Sequence, residues 1–215
     1  TDKSFNEAQA PGIQHQSNFL RYGTVAQYDL RDNPNGPKTG GNYIVQWVRY
    51  QDQSRSVHSF NRYDIDFQQY LGFVNNLRRL ALRARATFTD PVGGSTVPFY
   101  MRPTVGGSDD VRGYRHYRFN DPNALVLNAE YRWEIFAGLD GALFYDAGKV
   151  MPRASHLALS HMKGSAGFGL RANIRNQTFL RLDVGFSREG FMIWFKFNDA
   201  FNSQKFGTGA FQPLY

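Results

Sequence analysis

From Leu80 to Phe88 the chain alternates without a break. Leu80, Leu82, Ala84, Ala86 and Phe88 are apolar, and Ala81, Arg83, Arg85 and Thr87 lie between them. Successive side chains of an extended strand point to opposite faces, so the two arginines share one face against an unbroken apolar one. One side of this strand meets water or counter-charge, and the other meets hydrocarbon or a packed layer. A soluble sandwich satisfies that pattern with its polar face outward, whereas a membrane barrel satisfies it with the polar face toward its lumen.

The pattern recurs along most of the chain. It begins at Phe19, with Tyr22, Thr24, Ala26, Tyr28 and Leu30 on one face. It returns at Tyr43, Val45 and Trp47, ending near Tyr50, and again at Tyr63, Ile65 and Phe67 against Asp64 and Asp66. Later, Leu125, Leu127, Ala129, Tyr131 and Trp133 oppose Asn128, Glu130 and Arg132, and Leu139, Leu143 and Tyr145 oppose Asp140, Phe144 and Asp146. Ala166 to Ala172, Leu180 to Phe186 and Phe191 to Phe197 complete the series. Nine amphipathic strands follow from this count. Their polar faces carry both signs, as a narrow wet interior requires.

Two further features favour the membrane form. Aromatic residues such as Tyr22, Tyr43, Trp133 and Tyr145 are expected at strand ends, as interfacial girdles. Connections are short at 72–76, 136–138 and 174–177 but long at 89–122 and 149–164, although the Ser187–Gly190 connection is short where a long one is expected. No apolar run approaches the roughly 20 residues of a membrane helix, which excludes a helical membrane protein and leaves a membrane barrel open. A soluble ligand-binding barrel is the competing architecture, and it would turn its apolar faces inward.

Composition narrows the chemistry. With no cysteine among 215 residues, disulfide frameworks and thiolate metal sites are excluded. His15, His58, His116, His156 and His161 form no metal-ligand motif. No Gly-x-Ser-x-Gly elbow exists either, so no enzyme activity, metal or cofactor is expected. The net charge of +7 comes from arginines alternating within strands instead of clustering in one patch, which argues against a nucleic-acid partner. No signal peptide is visible at Thr1. Residues 1–18 read as a polar leader or linker, 19–201 as the barrel and 202–215 as a C-terminal tail.

One stretch fits neither strand nor helix: Gly106-Gly107-Ser108-Asp109-Asp110-Val111-Arg112-Gly113-Tyr114. Val111-Arg112-Gly113-Tyr114 resembles the (V/I/L)-R-G-(F/Y) signature of the BamA/TamA surface-antigen superfamily, which includes two-partner secretion transporters. Tyr28-Asp29-Leu30-Arg31-Asp32-Asn33-Pro34, Glu130-Tyr131-Arg132, Phe144-Tyr145-Asp146-Ala147-Gly148 and Gly167-Phe168-Gly169-Leu170-Arg171 resemble further strand motifs of that family, in the same order. The resemblance covers about residues 19–201.

The resemblance implies an antiparallel up-and-down transmembrane β-barrel of 8–10 strands, or the C-terminal part of a larger one, in a bacterial outer membrane. It implies that the long loop folds toward the lumen, with Arg112 held by Glu130 and Asp146 and packed on Phe144. Alternation alone also places Glu130, Phe144 and Asp146 on the polar face. Gly113 would supply close approach or a positive φ. The resemblance further implies insertion or translocation of proteins, with outer-membrane lipid, lipopolysaccharide and client outer-membrane or secreted proteins as partners, and no small-molecule substrate. A small pore or structural barrel that keeps the fold without insertase activity is the alternative. The chain has no room for POTRA modules, and nine strands are fewer than the family's usual sixteen. Asp29, Arg31 and Asp32 are expected to clamp a turn, with Asp32 and Asn33 bonding backbone amides.

Overall fold

The computed structural model describes residues 10–13, 16–174, 177–197 and 201. The expected tail at 202–215, His15, the turn at 175–176 and most of the leader lie outside the described residues. Nine long strands form one antiparallel sheet: β1 (Phe19–Asp29), β2 (Gly40–Asp52), β3 (Phe60–Phe73), β4 (Arg78–Pro91), β7 (Asn123–Phe136), β8 (Leu139–Met151), β9 (Lys163–Ile174), β10 (Gln177–Ser187) and β11 (Gly190–Lys196). Each pairs with its neighbour in sequence, so the sheet is a meander. The remaining strands, β5 (Thr104–Val105) and β6 (Phe119–Asn120), pair with each other inside the long connection between β4 and β7. The alternation anticipates the nine long strands; a two-residue strand is too short to show a period.

The polarity of the sheet is inverted relative to a soluble protein. Glu130, Asp146, Arg171, Arg181 and Asp183 are fully buried on the concave face, while Phe191, Ile193, Phe195 and Leu143 are more than half exposed on the other. A chain folding in water would bury the second set and expose the first. A soluble barrel is thereby excluded, and the convex wall is built to meet hydrocarbon.

The aromatic expectation needs one correction. Trp133 lies near the short-turn end of β7, beside Gly141 of β8, where an added Cβ would meet its ring at 2.4 Å. Tyr145, however, sits halfway along β8, opposite Ala129, so it belongs to the wall and not to a girdle. Alternation cannot locate a strand end, and this strand continues to Met151.

The sheet curls around the long connection. Asp109 illustrates the curvature: its carbonyl accepts from Arg83 of β4 at 3.3 Å, and its carboxylate lies 3.7 Å from Lys196 of β11. Those strands stand at opposite ends of a six-strand stretch of the sheet. At the short-turn end, the β1–β2 connection reaches β10, where the Thr178 N–H donates to the Asn35 carbonyl at 3.0 Å. At the long-connection end, Val48, Tyr50, Phe60, Val97 and Met101 form an apolar cluster. The residues before β1 join that end: the Phe99 N–H donates to the Pro11 carbonyl and the Ser17 hydroxyl to Asp52.

β1 and β11 do not pair with each other among the described residues. In a nine-strand meander the first and last strands run parallel, so an antiparallel closure between them is geometrically unavailable.

Candidate functional site

The long connection enters the concave face as a compact unit. Glycines 106 and 107 have φ of +120° and +105°, conformations that side chains rarely adopt, and they reverse the chain after β5. The Gly107 N–H then donates to the Tyr114 carbonyl, and the Tyr114 N–H to the Val111 carbonyl. Val105, Val111 and Tyr114 pack on Ala124 and Val126 of β7, with Phe119 and Val150 beside them. This apolar footing holds the loop on the sheet and aims Arg112 into the charged interior.

Arg112 meets Asp146 with its Nε and Nη2, each at 2.8 Å, and its backbone N–H reaches the same carboxylate at 3.1 Å. Its Nη1 donates to Glu130 and lies 3.6 Å from Asp183. The guanidinium carbon sits 3.4 Å above the Phe144 ring. The planar fork is therefore satisfied in plane by carboxylates and out of plane by an aromatic face, which a lysine could not reproduce.

Two glycines make room for the backbone. At Gly113, a Cβ would meet those of Ser165 and Ser187 at 2.6 and 2.8 Å. Its φ is not positive, so close approach is the reason for glycine there. At Gly185, a Cβ would fall 2.7 Å from the Arg112 carbonyl. The Ser187 hydroxyl donates to the Gly113 carbonyl at 2.8 Å, and the Trp194 indole N–H donates to the Arg112 carbonyl at 2.6 Å.

The structure thus brings Val111, Arg112, Gly113 and Tyr114 together with Glu130, Phe144 and Asp146. It also recruits residues that the motif does not indicate. Glu130 accepts from Arg132 and Arg171 besides Arg112, and Asp183 faces Arg171 at 2.6 Å and Arg181 at 3.2 Å. Arg181 donates to the Ser108 carbonyl at 2.9 Å, and Arg85 to Asp110. Alternation places these residues on the polar face, but only the curvature of the sheet decides which of them meet. Buried charges of both signs this close are sustained because each has several partners.

The turn residues form a separate unit. Arg31 forks onto Asp29 at 2.8 and 2.6 Å and reaches the Pro34 carbonyl at 3.3 Å. Asp32 accepts from the backbone of Asn33, Lys38 and Thr39, and Asn33 accepts from the Asn35 N–H. This clamp lies at the short-turn end, away from Arg112, and organises the segment that reaches β10.

An arginine projected from a long loop into a barrel interior and shared by carboxylates of consecutive strands is what the motif comparison anticipates. The Omp85 superfamily domain matches residues 5–193. The chain belongs to the Omp85 superfamily. Among solved structures, BamA from Haemophilus ducreyi lacking POTRA domains 1–3 has the same fold, with a TM-score of 0.66 and 15% identity. That likeness covers 81% of this chain and 41% of the BamA chain, so this Omp85 chain spans less than half the length of that relative. No curated protein matches the sequence.

Proposed function

We propose that this Omp85 chain forms part of a barrel in a bacterial outer membrane that inserts or translocates other proteins, acting by strand pairing and without chemical catalysis, metal or cofactor. The observation that carries the reading is the edge of β11. It pairs with β10 on one side only among the described residues, and it is seven residues long. Its outward residues Phe191, Ile193 and Phe195 are already suited to lipid. Such an edge offers backbone N–H and C=O groups to an incoming strand, and β-augmentation supplies the affinity. The partners are client outer-membrane or secreted proteins, with outer-membrane lipid and lipopolysaccharide around the wall.

The test is reconstitution. The full-length protein in liposomes should accelerate folding of an added unfolded barrel, read as heat-modifiable gel mobility, relative to empty liposomes. Equal rates overturn the reading. The alternative is a pore or structural barrel, and one observation favours its structural form: buried ion pairs tie the loop to the wall, as a stabilising element would be tied. Steady single-channel conductance in planar bilayers without any client effect supports that alternative.

A further inference from the structure

The convex wall carries a groove of about 470 Å³ across β3, β4, β7 and β8. Its lining includes Phe67, Leu82, Ala84, Ala129, Tyr145 and Ala147. A second depression of about 470 Å³, nearer the short-turn end, is lined by Arg78, Tyr131, Trp133, Glu134 and Leu143. The two lie next to each other along the wall. Ala129 pairs with Tyr145 and Tyr131 with Leu143, so successive outward residues of β7 and β8 pass directly from one depression to the other.

Charge is distributed unevenly along this path. The mid-wall part is apolar, whereas Arg78 stands exposed at the short-turn end. Glu134 pairs with the inward-facing Asp140 and so points to the concave side. Arg78 is opposite Trp133, so it faces outward beside that ring, and it makes no ion pair among the described residues. From Arg78 to Ala84 is six residues of β4. At about 3.3 Å per residue and a strand tilt of about 40°, this descends about 15 Å along the membrane normal. That depth is half of a hydrocarbon core of about 30 Å. The cation therefore lies at headgroup level when the alanines lie near the bilayer centre.

We propose that this path is a binding site for one glycerophospholipid of the leaflet at the short-turn side, recognised through its headgroup phosphate. The phosphate meets the Arg78 guanidinium. The Trp133 indole sits at the interface, as amphipathic aromatic rings prefer. One acyl chain fills the notch left by Ala84, Ala129 and Ala147 between the larger Phe67, Leu82 and Tyr145. The site rests on the membrane orientation of the wall but not on insertase activity.

Native mass spectrometry of the full-length protein in detergent, titrated with phosphatidylethanolamine, phosphatidylglycerol or uncharged diacylglycerol, tests it. Heat-modifiable mobility reports separately that each variant is a folded barrel. Wild type should retain one phosphatidylethanolamine or phosphatidylglycerol in preference to diacylglycerol. Arg78→Gln should weaken both phospholipids about fivefold, the loss of one cation–phosphate contact near a membrane surface, and leave diacylglycerol unchanged. Ala129→Leu, or Ala84→Leu should the first not fold, fills the notch and should weaken all three. Glu134→Gln, a change on the concave side, should leave retention of all three unchanged. Equal retention by wild type, Arg78→Gln and the leucine variants overturns the site. Loss in the leucine variants alone overturns the headgroup assignment and leaves an unspecific apolar groove.

Discussion

Arg112 meets Asp146 through three hydrogen bonds, one from its own backbone N–H and two from its guanidinium. A single carboxylate thus fixes both the position of the loop and the direction of its side chain. Glu130 and Asp183 then complete the surroundings of the cation from two further strands. The loop is bound to β7, β8 and β10 at one point in the sheet's interior.

Removing this cation leaves three buried carboxylates under-compensated. Arg112→Ala should destabilise the folded protein by about 3–5 kcal/mol, the usual effect of deleting one member of a buried ion network. Arg112→Lys keeps the charge but loses the fork, and should fall between the alanine variant and wild type. Urea unfolding in lipid bilayers, followed by gel mobility, measures both.

Close backbone packing makes a second claim. Gly185→Ala places a methyl group 2.7 Å from the Arg112 carbonyl, so the loop must shift away from β10. We expect a stability loss of about 1–3 kcal/mol, as for overpacked cores. Trypsin cleavage at the exposed Arg115 and Arg118 should become faster. Unchanged cleavage would mean that the loop does not pass so close to β10.

The Trp194 indole reports the same contact optically. Its N–H donates to the Arg112 carbonyl at 2.6 Å. Fluorescence of a variant with Trp47 and Trp133 replaced by Phe should shift to the red when Arg112 is changed to Ala, because release of the loop that carries the carbonyl acceptor opens the indole to water. An identical spectrum would contradict the contact.

The turn clamp separates two kinds of carboxylate. Asp32→Ala removes the acceptor of three backbone N–H groups and should cost about 1–2 kcal/mol. Asp29→Asn breaks a pair with Arg31 whose carboxylate is open to solvent and should cost less than about 1 kcal/mol, with a further loss of effect at high salt. Equal effects of the two substitutions would contradict this division.

Much of this was legible in the sequence because the membrane imposes a strict alternation. Arg83 and Arg85 against Leu82, Ala84 and Ala86 already define which face is wet. Glu130 and Asp146 fall on the wet face of their strands by the same rule. What alternation cannot supply is the pairing across the interior. Asp183 meets Arg112 only because the sheet curls, and Trp194 reaches the Arg112 carbonyl for the same reason. The strands β5 and β6 escape for another cause, since two residues carry no period. The outer groove also lacks a linear signal, because Ala84, Ala129 and Ala147 come from three strands and become neighbours only through register.

The central claim is that the loop is held against the concave face by Arg112 and spans it from β4 to β11. Zero-length carbodiimide cross-linking tests it directly, since the Asp109 carboxylate lies 3.7 Å from the Lys196 ammonium. Peptide mapping by mass spectrometry should find an amide between Asp109 and Lys196 in wild type, and a strong reduction of it in Arg112→Ala. Absence of the link in wild-type protein, or its persistence at full yield in Arg112→Ala, would contradict the account.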